Sequence, residues 1–166
     1  MINNYQVIAN NLLEITLSNN VKKYIELNED SGKVVWRQKN DFWGRLLNVR
    51  HTGIYVGSDM STKENIYIHN HILQGYAHIT TEQMFSQGLP IYFDLDICTN
   101  SPLKVIQIAL SYVQDRVKYR LLDENCQILT SNACTNLKKS PDAEKVFGIT
   151  ALSIFVGLVL FGKKSS

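Results

Sequence analysis

The sequence has little that would place it among metal-bound, disulfide-rich or nucleic-acid-binding proteins. Its cysteines are odd in number and widely spaced, without a C-x-x-C pair: Cys98, Cys126 and Cys134. This pattern indicates neither a disulfide framework nor a zinc site, and it favours free thiols in a reducing compartment. The formal net charge is only +2, and no stripe of Lys and Arg with interleaved aromatic residues is present, so nucleic acid is not an expected partner.

The sequence also shows no secretory signal peptide and no internal repeat. Residues 1–17 mix Asn, Gln and Glu with apolar residues, and they lack a basic start and a continuous apolar core. We therefore do not expect them to act as a signal peptide. With 166 residues, of which 45% are apolar and 19% charged, the chain has the balance of one globular domain with an appendage.

One long apolar run is present near the C-terminus. Residues 146–162 carry no charge, and they are flanked by Lys145, Lys163 and Lys164. At roughly 1.5 Å per residue the run covers about 25 Å, and terminal lysines can compensate for the difference from a hydrocarbon core of about 30 Å. We therefore predict a C-terminal transmembrane helix, a single-pass anchor that leaves the rest of the protein on the cytoplasmic side. The alternative is a buried core helix.

The middle of the chain carries a group of strand patterns, with helix patterns on either side. β-forming residues bounded by turn residues predict strands over 33–36, 51–56, 66–69, 76–79 and 91–95. Helices are predicted over 80–87, from Ser101-Pro102 onward, and from about 125 to 137. Strands grouped in the middle with helices on either side indicate an α+β layout. Residues 1–31 are interpreted as an N-terminal extension.

Cys126 is the strongest candidate for a nucleophile. Cys98 follows two aspartates, whose negative charge disfavours a thiolate, and Cys134 falls inside a predicted helix, where a small buried hydrophobe is expected. Cys126 stands at the opening of that helix. Free backbone N–H groups and the positive end of the helix dipole stabilise a thiolate there, and they can also hold an oxyanion.

Four histidines are candidates for the base that takes the proton of this thiol: His51, His69, His71 and His78. His51 begins one predicted strand and His69 ends another, so adjacent strands can present both rings to one site. His71 shares a face with His69 if the strand continues. His78 has no evident partner.

Four segments then occur in an order that fits a known family: HTGIYVG at 51–57, IYIH at 66–69, TTEQMFSQG at 80–88 and YRLLDENC at 119–126. They resemble, respectively, the H-x-[GA]-I-Y-[LV]-G segment, the strand ending in a second histidine, the short helix that follows it, and the Y-x-L-L-x-x-N-C segment of lecithin retinol acyltransferase-like (LRAT-like) proteins. The family continues N-C-E-H-F, whereas this chain reads Asn125-Cys126-Gln127-Ile128-Leu129, and its interval from His51 to His69 is longer.

The resemblance implies a fold, domain bounds and a site. The fold would be a circularly permuted NlpC/P60, papain-like α+β fold, with an antiparallel sheet packed against helices over residues 32–140. Cys126 would be the nucleophile, His51 the base and His69 the residue that orients His51. No cofactor and no metal are implied.

The same resemblance implies an activity. A thiol-dependent lipid acyltransferase or phospholipase A would cleave glycerophospholipid esters through an acyl-cysteine, with phospholipid and membrane as its partners. Two alternatives stay open. One is an NlpC/P60-like cysteine peptidase or amidase, and the other is a catalytically inactive, membrane-tethered interaction module.

Overall fold

Alternating and continuous apolar runs form strands over much of the chain, as seen in a computed structural model that describes residues 2–9, 11–39, 49–94, 98–120 and 125–140. The strands in this part of the chain are β1 (Ile2–Ala9), β2 (Leu12–Leu17), β3 (Lys22–Glu26), β4 (Val34–Gln38), β5 (Arg50–Asp59), β6 (Asn65–His71), β7 (Tyr76–Thr81) and β8 (Tyr92–Asp94). The helices are α1 (Glu82–Ser86), α2 (Pro102–Gln114) and α3 (Cys126–Thr135).

Strand β5 is the centre of the sheet, and every pairing in the sheet is antiparallel. Strand β6 runs along one edge of β5, with β7 beyond it. The other edge is shared, because β4 pairs with residues 50–54 and β3 pairs with Ser58 and Asp59. Strand β8 extends the sheet beyond β4, and β2 and β1 extend it beyond β3. The segment interpreted as an N-terminal extension thus supplies three strands of the same sheet.

Both faces of β5 are covered. Ile54 and Val56 point to the larger core, which they form with residues of β2, β6, α2 and α3. Tyr55 points to the opposite face, where it joins Val35, Tyr67 and Phe85. A strand buried on both faces reads as an almost continuous apolar run, which explains why residues 51–57 carry so strong a strand pattern.

Gly57 allows β3 to approach β5 closely at the end of β5. The β5–β6 register shifts between Tyr55 and Gly57, and Gly57 has φ +150°. A Cβ at this position would lie 2.3 Å from the carbonyl oxygen of Glu26. Only glycine fits such a close backbone approach without displacing a neighbouring strand.

Replacing Gly57 by alanine should therefore lower the free energy of unfolding by about 2–5 kcal/mol, because backbone strain and steric overlap both contribute. The matched control is Gly88→Ala, since Gly88 has φ +78° but nothing within 4 Å of an added Cβ. Strain alone should cost this variant about 1–2 kcal/mol. Urea denaturation of both variants measures the difference, and equal losses would contradict the proposed clash with Glu26.

The helices follow the predicted boundaries with one exception. Helix α2 begins at Pro102 with Ser101 as N-cap, and its buried stripe faces the sheet: Val105, Ile106, Ala109, Leu110, Tyr112 and Val113. Helix α1 is shorter than predicted, because Thr80 and Thr81 continue β7. The N-cap of α1 is Thr81, which makes no side-chain cap bond.

The predicted fold class, which included a C-terminal transmembrane helix, is wrong. Within the part of the chain that the structure describes, no helix is long and apolar enough to cross a membrane. The 13 residues of α2 cover about 20 Å, against about 30 Å of hydrocarbon. Residues 146–162 lie outside the described residues. A permuted papain-like domain starting at residue 32 also leaves strands β1–β3 unexplained. The observed architecture is an α+β fold dominated by one antiparallel sheet.

Two of the three cysteines are paired, in contrast to the expectation of free thiols. Cys98 and Cys134 form a disulfide across a sequence separation of 36, and Cys126 is free and buried. The backbone N–H groups of Thr99 and Asn100 also donate to the carbonyl oxygen of Cys134. These contacts fix the C-terminal end of α3 against the segment that leads into α2.

Candidate active site

Three histidine rings form a hydrogen-bonded row across three strands. His51 Nε2 lies 2.6 Å from His69 Nδ1, and His69 Nε2 lies 2.9 Å from His78 Nε2. His78 Nδ1 lies 3.2 Å from the carbonyl oxygen of Tyr76. The register explains the row, because His69 and His78 are direct cross-strand partners in β6 and β7. The structure therefore brings the predicted pair His51 and His69 together, and it adds His78.

Burial controls the charge of these rings. His51 and His69 are each only 3% exposed. Burial lowers the pKa of His51 well below its usual range, and the positive charge of Arg37 acts in the same direction. Burial also lowers the pKa of His69 strongly, followed by the effect of His51. Both rings are therefore neutral at pH 7, which is the form a general base needs.

Phe85 of α1 packs against both of these histidines. Its ring centroid lies 5.5 Å from that of His51 and 5.4 Å from that of His69, and it stacks on Tyr67 at 5.1 Å. Gly53 leaves the space for this ring, since a Cβ there would lie 2.9 Å from a Phe85 ring carbon. The short helix and the glycine of the HTGIYVG segment thus act together to exclude water from the histidine face.

A buried cation lies beside His51. Arg37 pairs with His51 across β4 and β5, is 3% exposed, and donates from Nε to the carbonyl oxygen of Phe85 and from Nη1 to that of Gln38. Burial lowers the pKa of Arg37, while the negative charge of a Cys126 thiolate acts in the opposite direction. Cys126 therefore lies near enough to Arg37 for their charges to interact.

Cys126 is the first residue of α3 and is 4% exposed. The side chain of Asn125 caps this helix, and its Oδ1 accepts from the backbone N–H groups of Gln127 and Ile128 at 2.9 and 3.0 Å. The N–H of Cys126 is not among the amides that Asn125 caps. The first backbone N–H groups of a helix have no acceptor within the helix, and an oxyanion donor is a group of this kind.

Helix α3, which begins with Cys126, contacts β5 at the residue after His51. Thr130, one helical turn after Cys126, lies with its Oγ1 3.2 Å from the Oγ1 of Thr52, the residue after His51. Neighbouring side chains of a strand alternate, so Thr52 faces α3 whereas His51 faces Phe85. The N-terminal turn of α3 is therefore fixed to the strand residue adjacent to the candidate base.

The remaining candidates fall into two groups. His71 lies beside the row, with its ring centroid 5.2 Å from that of His51, and its Nδ1 accepts from the N–H of Leu73 in the following turn. Cys98 and Cys134 form the disulfide at the far end of α3. Within the described ranges, no group of three or more His, Cys, Asp or Glu side chains is arranged to hold a metal ion.

Sequence reasoning missed Arg37, Phe85 and the position of His78. A signal exists for Arg37, because a charged residue two positions after Val35 shares the face of a buried strand. For His78 no such signal exists in the sequence alone. A strand pattern does not indicate which strand is its neighbour, and His78 is placed beside His69 only by the register of β7 against β6.

Comparison of the chain with protein-family models, with curated proteins and with solved structures finds no match. The resemblance to LRAT-like proteins therefore stays a prediction, and the geometry of the site is the basis for the proposals below.

The buried histidines should make stability depend on pH. Unfolded histidines take up protons near pH 6.5, whereas His51 and His69 take them up only at lower pH in the folded state. Between these two pKa values the unfolded chain binds more protons, so the free energy of unfolding should fall as the pH drops below about 6.5. The slope is up to about 1.4 kcal/mol per pH unit for each histidine.

Urea denaturation at pH 7.5, 6.5 and 5.5 measures this slope. His69→Gln removes one of the two histidines and should reduce it. An equal slope in the wild type and in His69→Gln would show that the loss of stability has another origin.

Proposed function

We propose that this protein is a cysteine acyl-transfer enzyme, with Cys126 as nucleophile and His51 as general base. The proposal rests chiefly on the neutral, buried pair of His51 and His69, whose ring nitrogens are 2.6 Å apart. The bond between Thr52 and Thr130 supports it further, because it fixes the start of the Cys126 helix to the same strand end. A thiol at a helix start, a base and an orienting partner are the three parts that nucleophilic catalysis requires.

The chemistry runs in two steps. His51 takes the proton of the Cys126 thiol while Sγ attacks an ester carbonyl carbon, and the oxyanion accepts from the backbone N–H of Cys126. The C–O bond then breaks, and the leaving alcohol takes the proton from His51. In the second step, His51 deprotonates water or another acceptor, which attacks the acyl-cysteine and releases the thiolate. The thiolate recovers the proton from His51.

The substrate class we propose is a glycerophospholipid ester, as the resemblance to LRAT-like proteins implies. One feature of the surface supports an acyl substrate. The turn between β6 and β7, directly after His71, exposes Ile72 by 63% and Leu73 by 84%. An apolar pair at a turn beside the candidate site is suited to contact acyl chains.

Replacing Cys126 by alanine should abolish ester cleavage. The full chain is incubated with phosphatidylcholine in mixed micelles, and intact mass spectrometry of the quenched protein should show one added acyl group, which peptide mapping assigns to Cys126. The Cys126→Ala protein should show no adduct. A variant with both Cys98 and Cys134 replaced by serine is the matched control. It loses the disulfide at the far end of α3 but keeps Cys126, so it should still form the adduct.

Near-normal turnover in Cys126→Ala would refute the nucleophile assignment. Cleavage of peptide substrates by the wild type, without an acyl adduct from phospholipid, would favour the peptidase alternative instead.

His51 should matter more than His69 for turnover. Removal of a general base typically costs about 10²–10⁴-fold, whereas an orienting partner can be replaced in part by another polar group. His51→Ala should therefore lose nearly all activity, and His69→Gln should keep some of it. Steady-state kinetics on the same micelles measure both variants. A larger loss in His69→Gln than in His51→Ala would indicate that His69 is the base and His51 the orienting partner.

A further inference from the structure

The histidine row ends on a backbone carbonyl, and this fixes its direction. A carbonyl oxygen can only accept a hydrogen bond, so His78 must carry its proton on Nδ1 to donate to Tyr76 at 3.2 Å. A neutral His78 then has a lone pair on Nε2. Since His69 Nε2 lies 2.9 Å from that lone pair, the proton between the two rings belongs to His69.

The same argument continues to His51. A neutral His69 protonated at Nε2 has its lone pair on Nδ1, and this atom lies 2.6 Å from His51 Nε2. His51 must therefore carry its proton on Nε2 and keep its lone pair on Nδ1. His51 therefore donates to His69, His69 donates to His78, and His78 donates to Tyr76. The nitrogen that keeps a free lone pair is Nδ1 of His51.

We propose that His78 is a positioning residue which, together with the carbonyl of Tyr76, holds His51 in the tautomer whose Nδ1 is the base. This inference rests on the proposed function, for which it names the atom that takes the proton. His78 acts through His69 and does not touch the reacting atoms. Its role is to accept the hydrogen bond from His69 Nε2–H. An apolar residue at position 78 would leave that buried donor without an acceptor, and His69 would no longer be held in the tautomer protonated at Nε2.

The sequence offers a matched pair of histidines for the test. His71 and His78 both lie next to His69, with ring centroids at 5.4 and 4.4 Å from it. They differ in their bonds, because the Nδ1 of His71 accepts from the Leu73 N–H, whereas His78 continues the row. His78→Leu should lower kcat by about tenfold or more, since a histidine in the wrong tautomer is a poor base. His71→Leu should stay within a few-fold of the wild type.

A conservative variant separates positioning from packing. Glutamine at position 78 offers an oxygen near the former Nε2, and this oxygen can accept from His69 Nε2–H. His78→Gln should therefore recover most of the activity that His78→Leu loses. Equal losses in His78→Leu and His71→Leu, or full activity in His78→Leu, would overturn the proposal. Failure of His78→Gln to exceed His78→Leu would also overturn it.

A spectroscopic readout tests the row without any turnover. In the full chain labelled with ¹⁵N-histidine, the nitrogen chemical shifts at pH 7.5 should show protons on Nδ1 of His78 and on Nε2 of both His69 and His51. In His78→Leu, the His51 signal should shift toward a mixture of tautomers. A wild-type spectrum with the proton on His51 Nδ1 or on His78 Nε2 would overturn the proposal. If the spectrum is as expected but the wild type forms no acyl-cysteine, the proposed function fails while the row stands.

Discussion

Strand β5 is the constraint on which the rest of the structure depends. It is hydrogen-bonded along both edges and buried on both faces, so four neighbours are placed relative to it: β3, β4, β6 and the helix α3. An ion pair strengthens its end, where Nζ of the partly exposed Lys23 lies 2.6 Å from an oxygen of the buried Asp59. His51 lies at the other end of this strand, where pairing with Arg37 of β4 fixes the position of its backbone.

Burying several polar rings on one face of a sheet is costly unless each donor finds an acceptor. The histidine row meets this requirement. The ring nitrogens that face another ring are hydrogen-bonded to each other, and Nδ1 of His78 is bonded to the carbonyl oxygen of Tyr76. Phe85 covers the row, and its exclusion of water strengthens these bonds and keeps the rings neutral. The packing that stabilises this face therefore also produces the chemical state that a base requires.

The parts of the fold that sequence could predict are those determined by local patterns. The strand at 51–56, the start of α2 at Ser101-Pro102 and the start of α3 near Asn125 follow from β-forming residues and from caps. The pairing of His69 with His78, the nearness of Arg37 to His51 and the Cys98–Cys134 disulfide depend on which strands are neighbours and in what register. Residues far apart in sequence carry no local signal of that choice.

Gln127 stands where LRAT-like proteins have Glu, and its side chain is hydrogen-bonded to the residues that cap α3. Asn125 Nδ2 donates to the Oγ of Ser140, which donates in turn to Oε1 of Gln127 at 3.0 Å. An amide at position 127 accepts this bond without adding a negative charge one residue from Cys126. Gln127 therefore supports the cap of α3 through its bond from Ser140.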